Sequence, residues 1–146
     1  MLGITNPTEE YFKDGGWGWD GTRWRKLNLT FGYYDRYAER QEAENVPAGT
    51  QTYNFAAVPT GEVWVVTAFT AYCSTANPSA IALYHVATGV GVLLVAQQLP
   101  VVAWIVLPLV GTLVLKKDDY LRAVFINCVL NDDVHAFAVG YKMKVA

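Results

Sequence analysis

Between Glu62 and Lys116 this sequence contains no Lys, Arg, Asp or Glu. A segment of that length without charge needs cover from the chain's own layers or from another molecule. It opens on a turn, Val58-Pro59-Thr60-Gly61, and runs straight into Glu62-Val63-Trp64-Val65-Val66-Thr67-Ala68-Phe69-Thr70-Ala71-Tyr72. Pro59 presets one turn dihedral and Gly61 accepts a positive one. The β-branched and aromatic residues that follow fit a pleated surface. Strict alternation puts Val63, Val65, Thr67, Phe69 and Ala71 on one face and Trp64, Val66, Ala68, Thr70 and Tyr72 on the other. Neither face is polar, so the spacing predicts a long central strand covered on both sides.

Val90 to Leu115 is apolar enough and long enough to pose the question of a membrane-spanning helix. Gly91, Pro100, Pro108 and Gly111 break it, Gln97 and Gln98 lie within it, and valine dominates, which favours buried strands. The rest of the chain is charged differently. Residues 1–50 hold six Lys/Arg and eight Asp/Glu, whereas residues 51–146 hold five of each. With charged residues at 16% overall, against about a quarter in ordinary domains, part of the surface is expected to be covered by copies of the same chain. The net charge of -2 supplies no basic footprint for nucleic acid and no polybasic membrane patch. The opening Met-Leu-Gly-Ile-Thr-Asn-Pro lacks the basic region and apolar core of a secretory signal.

Two units are expected, residues 1–50 and 51–146. The first is an extended N-terminal arm broken by Gly3, Pro7, Gly15, Gly16, Gly18 and Gly21, yet rich in rings: Tyr11, Phe12, Trp17, Trp19 and Trp24. Trp19-Asp20-Gly21-Thr22-Arg23-Trp24 reads as a tight turn flanked by tryptophans. Lys26 to Tyr33 alternates as a half-buried strand. Tyr34 to Asn45 has helix-forming composition and reads equally as a short helix or an extended linker. From Gln51 onward the pattern is all-β. Strands are expected over residues 51–57, 62–72, 80–87, 92–97, 101–107, 112–115, 120–128 and 134–142, with solvated turns at Lys116-Lys117-Asp118-Asp119 and Asn131-Asp132-Asp133. Eight strands at this spacing predict an antiparallel β-sandwich of the jelly-roll kind.

No constellation of catalytic residues emerges. His85 and His135 have no nucleophile beside them in a recognisable motif. Cys73 and Cys128 form neither a disulfide framework nor a zinc pair and read as buried free thiols. Asp118-Asp119 and Asp132-Asp133 supply oxygen ligands of the type calcium takes, but paired aspartates at strand turns are ordinary turn residues. Gly15-Gly16-Trp17-Gly18 lacks the lysine and context of a phosphate cradle. The expectation is a protein that is not an enzyme and has no cofactor and no metal. Tyr11, Phe12, Trp17, Trp19, Trp24, Arg23 and Arg25 are the candidate assembly contacts of the arm, since Trp, Tyr and Arg concentrate at interfaces. An alternative makes Trp17, Trp24 and Tyr34 a glycan platform.

Trp19-Asp20-Gly21-Thr22-Arg23-Trp24-Arg25-Lys26-Leu27 resembles a short W-D-G-T-x-W-x-x-L element of tailed-bacteriophage virion proteins. Val58 to Val66, Leu113 to Arg122 and Ala138-Val139-Gly140-Tyr141 are similar to pieces of jelly-roll proteins on phage heads and tails. The resemblance implies a virion structural protein: a head decoration or cement protein, or part of a tail or fibre. Such proteins are often homotrimers. The expected partners are further copies of the chain, with a trimer favoured, and the major capsid protein or other virion proteins, with no nucleic acid and no membrane.

Overall fold

The computed structural model describes residues 17–19, 24–26, 33–98, 101–109 and 111–144. Eleven strands are formed among them. β1 (Trp17–Trp19) and β2 (Trp24–Lys26) make a small antiparallel hairpin. The rest build two antiparallel sheets from β3 (Tyr33–Val46), β4 (Gly49–Asn54), β5 (Glu62–Cys73), β6 (Ala80–Ala87), β7 (Val90–Gln98), β8 (Leu107–Pro108), β9 (Leu113–Leu115), β10 (Tyr120–Cys128) and β11 (Asp132–Lys144). One sheet runs β3-β11-β5-β8, with β9 also on β5, and the other β4-β10-β6-β7. The chain crosses between sheets at most connections, and its last two strands slot between earlier ones. This is the strand order of a jelly roll.

The core lies between the sheets. Phe69, Ala71 and Cys73 of β5 face Ile81 and Leu83 of β6 and Leu121, Ala123 and Phe125 of β10, all fully buried. Phe55 meets Phe69 edge-on with centroids 5.3 Å apart. Full burial of each such side chain contributes about 1.5–3 kcal/mol, so this layer supplies most of the cohesion.

The turn before β5 forms as its residues require. Glu62 N–H donates to the Pro59 carbonyl at 3.3 Å, and Gly61 takes φ +83°. Val58 then exchanges backbone hydrogen bonds with the 116–119 turn, at 3.0 Å to Asp119 O and 2.9 Å from Asp118 N–H.

Four expectations need correcting. The Tyr34–Asn45 segment is not a helix; it lies within β3, because pairing along β11 outweighs its helix-forming composition. The sheets therefore begin before residue 51. The alternation assumed for β5 also fails. β5 contains a bulge: Val139 pairs with Ala68 and Gly140 with Val66, leaving Thr67 as the extra residue. The bulge reverses the phase, so Trp64 and Val66 join Phe69 and Ala71 in the core while Thr67 is exposed. Residues 101–106 are not a strand. They turn instead, with Ile105 N–H on Val102 O at 3.1 Å and Trp104 at φ +63°. Finally, the aspartate turns are not simply solvated, because Asp119 and Asp132 are both buried.

The described residues of 90–115 contribute β7, β8 and β9 and no helix, and among the described residues no helix is long and apolar enough to cross a membrane. Cys73 and Cys128 are buried free thiols, as read from the sequence.

Candidate interaction surfaces

The arm residues singled out from the sequence are only partly placed. β1 and β2 pair Trp19 with Trp24, Gly18 with Arg25 and Trp17 with Lys26, the pairing a tight turn requires. Tyr34 falls in β3. Tyr11, Phe12 and Arg23, like the Asp20-Gly21 turn itself and most of the strand expected over 26–33, lie outside the described residues.

What the sequence did not single out is a stack of rings on the outer face of the five-stranded sheet. The β11–β5 register sets His135 opposite Tyr72 and Phe137 opposite Thr70. Tyr72 stacks on His135 (4.6 Å, 15°), on Phe137 (6.0 Å, 12°) and on Trp104 (5.5 Å, 29°). Trp104 reaches this row because its backbone N–H donates to Cys73 O at 2.9 Å. The neighbouring rings pack against Tyr72, while Trp104 at the end of the row stays exposed.

His135 lies between Glu42 (Nδ1 to Oε1, 3.3 Å) and Ser74 (Nε2 to Oγ, 3.5 Å), the order of a nucleophilic triad. The distances argue for positioning rather than chemistry. The Ser74 hydroxyl also reaches the Asp133 carbonyl oxygen, at 3.4 Å and so no farther than the ring, and Glu42 is held more tightly by Arg40 at 2.6 Å. These bonds fix the ring against Tyr72.

Two buried carboxylates brace opposite ends of the sandwich. Asp119 Oδ2 accepts from Lys116 N–H at 3.0 Å and meets His85 Nε2 at 3.1 Å. His85 shares the inner face with Leu121, so this pair supplies the polar partner its uncharged strand lacks. Asp132 Oδ1 accepts from Thr75 Oγ1 at 2.8 Å and Asn77 Nδ2 at 2.7 Å, and its Oδ2 from Val129 N–H at 2.7 Å. Each carboxylate has hydrogen-bond partners within the protein, which accounts for its burial. Among the described residues no group of three or more His, Cys, Asp or Glu is placed to hold a metal.

Beyond these polar pins several large apolar side chains among the described residues are exposed. Val102, Trp104, Ile105 and Val106 are exposed on the β7–β8 connection, and Val129 and Leu130 on the β10–β11 turn. Backbone bonds from Trp104 to Cys73 and from Ser74 to Asp133 tie both connections to the same end of the sandwich. A second group, Val90, Val92 and Leu93, lies toward the other end of β7, beside the β6–β7 turn.

No protein-family model matches this chain, and no curated protein matches it.

Proposed function

We propose that this chain is a non-enzymatic structural protein of a tailed-phage virion: a self-associating capsid decoration or cement protein, or a head-fibre module, attached through its N-terminal arm. The observation that carries this reading is the exposed apolar surface. Trp104 is 66% exposed and Leu130 64%, at one end of a jelly roll whose nearby sheet face carries stacked rings. Monomeric proteins rarely leave such residues grouped in water, and grouped apolar residues mark contacts with other proteins. The phage-like sequence elements support the assignment to a virion. The tryptophans of the β1–β2 hairpin support an attachment role for the arm. Copies of the chain, with a trimer favoured, and the major capsid protein are the partners; the proposal includes no cofactor, nucleic acid or membrane.

The test is composition and attachment. Virions of the phage that encodes the chain are purified and their proteins quantified by mass spectrometry. Stoichiometric presence in the particle is expected, and the full-length Trp17→Ala/Trp24→Ala double variant should fold but stay off particles lacking the native chain. Absence from virions would overturn the assignment. A double variant that attaches as well as the native chain would overturn the role of the arm.

A further inference from the structure

The two sheets have four edges, and three of them are blocked against further strands. β3 is long but carries Asp35, Arg36, Glu39, Arg40, Glu42 and Glu44. β4 has 6 residues, follows Pro47 closely and meets β10 through an irregular register. The edge beside β5 is broken into β8, 2 residues ending on Pro108, and β9, 3 residues. Charge, shortness, proline and irregularity are the devices by which sheet edges avoid pairing with other chains. β7 has none of the first three. Its 9 residues, Val-Gly-Val-Leu-Leu-Val-Ala-Gln-Gln, include no charge and no proline, and among the described strands it is the outermost of its sheet. Val90 is 64% exposed, Val92 52% and Leu93 53%.

We infer that the β7 edge is covered by β7 of a second copy, paired antiparallel across a two-fold axis so that two four-stranded sheets become one eight-stranded sheet. The inference rests on the self-association reading above. Self-pairing is favoured over a different partner by the composition of the strand. Near a two-fold axis each residue approaches its own copy, and a charged residue there meets its like. An uncharged strand in a segment without charge from residue 63 to 115 avoids that repulsion at every register. The outer backbone groups of β7 gain partners, and its exposed valines and leucine leave water. The association is even-numbered: a dimer, or two rings joined face to face.

The test places a charge one residue from the middle of the strand. Leu93 is exposed, so Leu93→Lys and Leu93→Glu should each keep the native far-ultraviolet circular dichroism and unfold cooperatively. Full-length native chain and both variants are measured by sedimentation equilibrium without detergent. The native chain should give an even-numbered mass. Each variant alone should weaken the two-fold step ~100-fold, because like charges meet. An equimolar mixture of the two should recover it, because Lys then faces Glu. A native trimer unaffected by either variant would overturn the β7 pairing while leaving self-association standing. A native monomer would overturn both, and indefinite aggregation would show an open edge and overturn the two-fold. Variants that dissociate separately and do not recover on mixing would show that β7 meets something other than itself, such as the arm, and would also overturn it.

Discussion

Among the glycines with described surroundings, Gly140 is where replacement by alanine should be most destructive. At this position β11 passes the Thr67 bulge of β5, and the two backbones come unusually close. A Cβ on Gly140 would overlap the Val65 carbonyl oxygen and lie 2.9 Å from both Val65 C and Val66 Cα. All three atoms are backbone in the central pair of the sheet, so no side-chain rotation relieves the clash. Separating the strands breaks ladder bonds on both sides of the bulge. With two or three buried backbone groups left unpaired at about 1–3 kcal/mol each, the loss is roughly 2–9 kcal/mol, against a total of about 5–15 kcal/mol for an ordinary domain. Gly61→Ala is the control. Its φ is +83° but its Cβ would meet nothing within 4 Å, so it carries only the left-handed backbone penalty of about 1–2 kcal/mol. Urea unfolding followed by tryptophan fluorescence measures both. A Gly140→Ala loss no larger than that of Gly61→Ala would refute the close approach at the bulge.

Asp132→Ala removes a buried carboxylate that accepts three partly buried hydrogen bonds and should destabilise the fold by about 1.5–3 kcal/mol, with Asp132→Asn intermediate because it keeps one acceptor; chemical denaturation of both variants checks the order. Thr88→Asn should stabilise by roughly 0.5–1 kcal/mol, since Thr88 (φ +49°) and Gly89 (φ +81°) form a two-residue turn that suits Asn-Gly, while a β-branched residue resists a positive φ; the thermal midpoint should rise. Burial, then the nearby Asp132 and Cys73, pushes the Cys128 thiol from 9.0 up to about 11. The folded state thus holds this proton more tightly than the unfolded chain. Its contribution to stability is fully present below about pH 9 and is lost as pH rises toward 11, so the urea midpoint should fall across that window and fall less in Cys128→Ala. At pH 8 neither buried thiol should react with a thiol reagent until denaturant is added.

Much of the sandwich was legible because its strands are bounded by strong punctuation. Ala80 to Ala87 and Tyr120 to Cys128 match their expected limits, since Pro78, Thr88-Gly89 and the Asp118-Asp119 turn mark them. β3 was not legible for a specific reason. Tyr37, Glu39, Gln41 and Ala43 do alternate in burial with Ala38, Arg40, Glu42 and Glu44, but Glu, Gln and Ala are helix formers, and only the partner strand decides between the readings. The bulge at Thr67 leaves no trace where both faces are apolar. The buried carboxylates left a faint one: His85 on an uncharged strand needs a polar partner, but nothing local says that it is the second aspartate of 118–119, while at 132–133 the first is buried. The ring stack needed the register of β5 with β11, which sequence spacing does not contain.

The place of β11 in the sheet has a consequence for how the protein is made. β11 is the last of the described strands, yet it lies between β3 and β5 and is the sole neighbour of β3 among them. On a ribosome, β3 and β5 emerge with their shared partner still unsynthesised, so the five-stranded sheet closes only after Lys144 has been added. Pairings across that much sequence form slowly, and until then the open strands and the uncharged segment are available to neighbouring nascent chains. Co-translational crowding on one messenger would favour intermolecular strand exchange, so yield should depend on chaperone supply and temperature more steeply than the stability of the finished fold would suggest.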